Sequence, residues 1–190
     1  MSDEAAACSS QPSRSDQLSW SNALSRPDLL AAPVARFLGS WPSAAQVSAS
    51  EIDPDLADTA QFCERYGVGM NESANCVVLA GKRDGQVRYA ACVVLATDRA
   101  DVNGAVRRIL DVRKASFAAM DDAVSLTSME YGGITPVGLP ADWRILIAQE
   151  VVEAGAVVVG SGVRRSKLLL DGRLLAELPN AEVVPDLTRR

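Results

Sequence analysis

The chain is predicted to fold as an α/β (α+β) domain with a mixed, largely antiparallel sheet and flanking helices. Three features predict this. Residues 75–80 and 87–96 are apolar runs rich in Val, Ala and Cys, separated by Gly81-Lys82-Arg83-Asp84-Gly85. That segment ends in Asp-Gly, a strong signal for a tight hairpin turn. Helix-like segments alternate with these strand-like ones, so sheet and helices must pack together. Finally, Glu130-Tyr131-Gly132-Gly133-Ile134-Thr135-Pro136-Val137-Gly138-Leu139-Pro140 concentrates glycine and proline between apolar segments.

Read in order, residues 1–26 are rich in Ser with Asp, Gln and Pro interspersed. They lack periodicity and are expected to be disordered, with Trp20 and Leu24 able to form a short docking turn. A single domain is expected over residues 27–190. Leu29, Leu30, Val34, Phe37 and Leu38 predict one or two short helices, stopped at Gly39. Residues 45–50 form a weak strand candidate. Asp53-Pro54-Asp55 reads as a helix start, Leu56, Ala60, Cys63 and Tyr66 as one helical face, and Gly67 as its end. The hairpin follows. Residues 102–110 read as another helix, 115–117 as a short strand, and Asp121 or Asp122 as the start of a helix through Leu126. Beyond the glycine-proline loop, residues 143–147, 156–160 and 167–170 are strand candidates. A turn at Asp171-Gly172, a helix over 174–178 and a strand at Val183–Val184 complete the reading.

Composition excludes several functions. Of the 190 residues, 48% are hydrophobic and 23% charged, which suits a globular core, while aromatics are only 5%. No apolar run approaches the roughly 20 residues of a membrane span. No basic region leads into an apolar stretch at the N-terminus, so no secretory signal is expected. Cys8, Cys63, Cys76 and Cys92 include no Cys-x-x-Cys pair. Buried free thiols in a reduced, cytoplasmic setting fit best. With no histidine in the chain, a Ser-His-Asp triad, a Cys-His dyad and a His-based zinc site are all ruled out. Neither a cofactor nor a metal is expected. The net charge of −5 argues against strong nonspecific attraction to nucleic acid. Local basic clusters nevertheless occur at Arg107, Arg108, Arg113 and Lys114, and at Arg164, Arg165 and Lys167. Solvated surface charge is the simpler reading of both.

The loop at 130–140 carries the chemistry. Adjacent glycines let a ligand approach the main chain, and Pro136 fixes its own φ and restricts Thr135. Such a rigid loop presenting bare N–H groups suits a carbonyl or an anion, although a purely structural turn accounts for the same composition. Other motifs fail. Gly160-Ser161-Gly162-Val163-Arg164-Arg165 has arginine where a dinucleotide loop needs its third glycine. Gly81-Lys82 lacks the upstream glycine of a phosphate loop. Asp121-Asp122 reads as helix capping, and Lys114 as a surface lysine.

Residues 127–138, Thr-Ser-Met-Glu-Tyr-Gly-Gly-Ile-Thr-Pro-Val-Gly, resemble the Thr-Gly-x-x-x-Gly-Gly-x-Ser-Pro-x-Gly loop of the YbaK/EbsC family. These are the prolyl-tRNA-synthetase-associated editing domains. The order of elements from Asp55 to Leu187 is similar too, so the resemblance covers about two thirds of the chain. It implies a compact domain with a curved mixed sheet and a small pocket in which the ester of a mischarged aminoacyl-tRNA is hydrolysed without histidine, the attacking water being held by pocket and ribose. By this resemblance Gly132 and Gly133 provide oxyanion donors and Asn75 orients the ester or ribose. Ile134, Thr135, Pro136, Thr127 and Lys114 would border the substrate. Arg107, Arg108, Arg164 and Arg165 would meet tRNA phosphates. Asn75 stands where the family usually has a lysine, and Ala148 where it often has an aspartate. Lys114 or Lys82 could supply the missing charge. The expected function is therefore a free-standing aminoacyl-tRNA deacylase. The alternatives are a YbaK-like module that binds tRNA or a protein partner without hydrolysis, and a hydrolase of other small esters or amides.

Overall fold

The computed structural model describes residues 17–189. The first strand, β1 (Ser21–Asn22), is followed by two 3₁₀ turns and helix α1 (Ala32–Leu38). Strand β2 (Ser48–Glu51) and helix α2 (Thr59–Tyr66) lead into the long hairpin of β3 (Ala74–Arg83) and β4 (Gln86–Leu95). Next come β5 (Arg99–Ala100), a π-helical turn running into α3 (Arg107–Ile109), β6 (Ala115–Phe117) and α4 (Met120–Thr127). After the glycine loop come β7 (Arg144–Ala148), α5 (Gln149–Glu153), β8 (Ala156–Gly160) and β9 (Ser166–Asp171). Helix α6 (Gly172–Leu175), β10 (Ala181–Val184) and β11 (Thr188–Arg189) close the fold.

The main sheet has the order β10-β7-β4-β3-β6, and the second has β1-β2-β9-β8. Among the described ladders, β10–β7 and β7–β4 pair in parallel and the others are antiparallel. The expected sheet is thus divided: besides a two-stranded ribbon of β5 and β11 there are two larger sheets. They meet where Ser73 bridges Val158, with the Val158 N–H donating to the Glu72 carbonyl at 2.7 Å. A groove opens at that seam.

The hairpin turn forms as expected, with Asp84 and Gly85 at φ 52° and 82°. Positive φ at both central residues matches the strand twist and pins Arg83 opposite Gln86. The expected helix over 53–67 is two pieces. The Asp53 side chain caps a 3₁₀ turn at Pro54–Leu56, Asp58 is extended, and α2 begins at Thr59. Leu56 therefore lies off the α2 face. Gly67 ends α2 in the left-handed conformation, as expected. Helix α5 was not expected: its five residues are too few for periodicity to show. The last helix comes earlier than expected, at Gly172–Leu175, where Asp171 caps the Arg173 N–H.

The core lies between the sheets and α1, α5 and α6, with Leu79, Cys92, Val93, Leu146, Ile147 and Leu168 fully buried. Each such aliphatic side chain contributes about 1.5–3 kcal/mol. A second cluster of Ile52, Ala57, Phe62, Cys63 and Val158 sits under α2. The ordered chain reaches further back than Pro27, which corrects the disorder expected for residues 17–26. Trp20 packs on the second cluster, Ala23 is 0% exposed, and β1 pairs with β2. Leu24 remains exposed. Burial of Trp20 and Ala23 offsets the entropy of ordering this Ser-rich segment. Residues 1–16 lie outside the described residues.

Candidate functional site

A cavity of about 370 Å³ occupies the seam between the sheets. Its walls come from β3, the start of α2, the 117–123 segment, the glycine loop and β8, with Lys167 of β9 also lining it.

The glycine loop lies flat on residues 160–164. The Gly133 N–H donates to the Glu130 carbonyl at 2.9 Å, and the Gly133 carbonyl accepts from the Gly162 N–H at 2.7 Å. The Glu130 carboxylate accepts the Arg164 N–H at 2.6 Å. Two glycines make this contact possible. A methyl group on Gly160 would press on the Gly133 carbonyl oxygen and come 2.7 Å from that of Ile134. One on Gly133 would come 2.6 Å from the Val163 carbonyl carbon. The composition that predicted a rigid loop is thus explained by close backbone packing.

The structure brings Asn75, Gly132 and Ile134 together on the cavity wall. The Asn75 side-chain oxygen accepts a hydrogen bond from the Thr59 hydroxyl at 2.6 Å, which turns its amide NH₂ to other partners. Among the described residues, the N–H groups of Gly132 and Ile134 have no hydrogen-bond partner. Gly133 corrects the expectation: it lies behind the wall with its N–H engaged.

Other expected site residues lie elsewhere. Thr127 is buried, donating to the Ala123 carbonyl at 2.6 Å and accepting from the Met129 N–H, so it anchors the loop. Thr135 is 0% exposed, with its hydroxyl unpartnered among the described residues, and it and Pro136 sit behind the lining. Lys114 lines a separate depression with Asp101 and Asn103, on the far side of Phe117. Lys82 is exposed near the hairpin tip, opposite Val87. Arg108 borders Glu182 and Pro185, and Arg107 donates to the Asn103 carbonyl; neither lines the cavity. Arg164 stands at the mouth but donates to the Pro54 carbonyl at 3.0 and 3.2 Å and pairs with Asp58 at 3.6 Å. It clamps the loop before α2 to the glycine loop. Arg165 donates to the Asp28 carbonyl. Ala148 is fully buried and outside the lining.

Sequence reasoning missed several lining residues. Phe117 and Tyr131 are 65% and 61% exposed, a pair of rings at the cavity. Asp58 and Thr59 enter from the start of α2. Lys167 was counted as surface charge, yet it is 7% exposed, donates to the Ala57 carbonyl at 2.8 Å and lies 5.1 Å over the Phe62 ring. Its signal was a lone cation inside the apolar run Ser166-Lys167-Leu168-Leu169-Leu170, opposite a glycine.

Burial pulls the Lys167 ammonium down to about 8, against weaker pulls upward from Cys63 and Asp58. Burial also raises the Cys63 and Cys76 thiols and pushes Cys92 up to about 12, so none is a thiolate nucleophile at neutral pH. The lysine makes stability depend on pH. Its folded-state value lies below the ordinary 10.5, so the unfolded chain holds the proton more tightly. Below about 8 the penalty is fully present, and it is relieved as pH rises from about 8 to 10.5. Urea unfolding at pH 7 and pH 10 should show a Lys167-dependent gain of roughly 1–3 kcal/mol at the higher pH, absent in Lys167→Met.

Among the described residues, no group of three or more Cys, Asp or Glu is placed to hold a metal, and no helix is long and apolar enough to cross a membrane.

The family model described as an aminoacyl-tRNA editing domain matches residues 53–178. Several solved structures share the fold. One, from work on epitope backbone grafting onto scaffold proteins, is 17% identical, with 85% of this chain and 100% of that chain covered, at a TM-score of 0.70. A proposed trans-editing enzyme for prolyl tRNA synthetase is also 17% identical, covering 85% and 99%, at a TM-score of 0.70. A hypothetical protein is 22% identical, covering 70% and 85%, at a TM-score of 0.61. At these identities the likeness is one of fold. No curated protein matches the chain in sequence.

Proposed function

The chain belongs to the aminoacyl-tRNA editing domain family, and from that premise we propose that it hydrolyses the ester of mischarged aminoacyl-tRNA in the cavity beneath the glycine loop. One observation carries this reading: Gly132 and Ile134, whose N–H groups have no hydrogen-bond partner among the described residues, line the same cavity as Asn75.

In this reading the aminoacyl group enters the cavity and the terminal adenosine stays at its mouth. A water adds to the ester carbonyl carbon. The carbonyl oxygen gains negative charge and is met by the Gly132 and Ile134 N–H groups, worth about 10²–10³ in rate per donor. The C–O bond to the ribose then breaks, and the proton released by the water goes to the departing ribose oxygen. Asn75, its oxygen held by Thr59, donates its amide to the ester or ribose. The Asp58 carboxylate lines the same cavity and suits the α-ammonium of the aminoacyl group. Phe117 and Tyr131 offer faces on which the terminal adenine stacks. The Arg164 side chain is taken up in clamping the rim.

The test is amino-acid release from a panel of mischarged tRNAs, beginning with alanyl-, seryl- and cysteinyl-tRNA. Release no faster than the uncatalysed rate on every member would sink the proposal. Phe117→Ala should raise KM about tenfold and leave kcat within a factor of two, because base stacking is worth about 1–3 kcal/mol and acts before the chemical step. A second reading, binding of the tRNA end without hydrolysis, is favoured by the uncharged Asn75. Tight tRNA binding without amino-acid release would select it.

A further inference from the structure

We propose that Lys167, contributed by the second sheet, is the substrate-touching cation of the cavity, and that its ammonium binds the carbonyl oxygen of the aminoacyl ester. This rests on the deacylase reading above.

Strand pairing places the residue. Lys167 lies directly opposite Gly160 on β8, and directly paired residues project from the same face of a sheet. The Gly160 face is covered by the Gly133 and Ile134 carbonyls, so the lysine stem sets out beneath the glycine loop. Its ammonium ends beside the Ala57 carbonyl and over Phe62, in the wall of the cavity that Gly132, Ile134 and Asn75 also line.

The ammonium is under-used. Of its three donors, one has a hydrogen-bond partner among the described residues, the Ala57 carbonyl. The carboxylate that acts on it, Asp58, is itself paired with Arg164. A buried cation held by one neutral carbonyl is a poor structural device, because an apolar side chain of similar length would pack on Phe62 without desolvating a charge. An oxygen acceptor entering the cavity would occupy the idle donors, and a carbonyl acquiring negative charge gains more from a charged donor than from a neutral one. Lys167 thereby provides, from β9, a charge that Asn75 on β3 lacks.

The charged and titratable groups around Lys167 are Cys63 from α2, Asp58 before it, Arg164 from the rim and, through Cys63, Glu72. Cys76 of β3 is also among the residues that line the cavity. Burial keeps both thiols protonated, leaving Lys167 to titrate near pH 8. The ammonium is the active form, so catalysed hydrolysis should fall as pH rises through about 8, once the uncatalysed rate is subtracted.

The experiment compares the full chain with Lys167→Met, which keeps the length and packing of the stem. Thermal unfolding checks that the variant folds. On a mischarged tRNA that the wild type hydrolyses, kcat should drop about 10²-fold or more with KM little changed, and the fall near pH 8 should vanish. A variant within twofold of wild type, with the same pH profile, overturns the proposal and leaves the deacylase reading standing. If the wild type hydrolyses no substrate, the deacylase reading falls. Lys167 is then judged by binding of the non-hydrolysable 3′-(1-aminoethyl)phosphonate of adenosine, whose anionic oxygen stands in for the oxyanion. Binding at least tenfold weaker in Lys167→Met upholds the contact, while equal binding, or none to either protein, overturns it.

Discussion

Gly160→Ala should lower the proposed deacylation about a hundredfold and cost about 1–3 kcal/mol of stability. The alanine methyl would press on the Gly133 carbonyl and come 2.7 Å from the Ile134 carbonyl oxygen. Both obstacles are backbone, so no side chain can swing aside. The loop must lift, carrying the Gly132 and Ile134 N–H groups with it. Displacement of the proposed oxyanion donors by about 1 Å is enough for a hundredfold loss. Steady-state deacylation and urea unfolding on the same preparation check both halves. Unchanged kcat at unchanged stability would mean that the loop does not hold the reacting ester. Gly133→Val is a less informative variant, because its side chain would meet the Val163 backbone and any loss of activity would report a dislodged loop.

Phe62→Ala should cost about 3–5 kcal/mol, the largest stability loss expected from any single truncation near the cavity. Phe62 is fully buried at the centre of the cluster beneath α2 and tilts against Tyr66 with ring centroids 5.3 Å apart. Its face also lies under the Lys167 ammonium at 5.1 Å. The truncation leaves a void beside a buried charge, so water can enter and the lysine should titrate closer to its ordinary range. The urea midpoint should therefore fall, and the Lys167-dependent gain between pH 7 and pH 10 should shrink. A truncation costing under about 1 kcal/mol would show that α2 packs less tightly than its burial indicates.

Two elements show how far local signals reach. The β3–β4 hairpin was legible because Asp84-Gly85 meets a local demand for positive φ at both turn residues. The helix over 53–67 was half legible. Its apolar spacing was real, but Asp53 and Asp58 each favour an extended or capping conformation and split the segment. Thr127 and Thr135 match a substrate loop by type, yet one bonds to α4 and the other is buried behind the wall. Nothing in their local sequence distinguishes a hydroxyl facing a cavity from one facing the core.

From the chain alone came the mixed α/β class, the long hairpin, the exclusion of histidine chemistry and the resemblance to the editing domains. The same reading placed Asn75, Gly132 and Ile134 at the site. The class and the hairpin follow from backbone preferences and periodicity, the exclusion from composition, and the three site residues from what the resemblance implies. Tertiary structure decided which groups share the cavity: Lys167 from β9, Asp58 and Thr59 from the start of α2, and Phe117 from β6. It also withdrew the Gly133 N–H and removed Lys114, Arg107 and Arg108 to other surfaces. The physical reason is that the cavity lies at a seam between two sheets, joined by the Ser73–Val158 bridge across 85 positions of sequence (158 − 73). Long-range pairing of that kind sets which side chains converge, and it leaves no periodic trace in the chain.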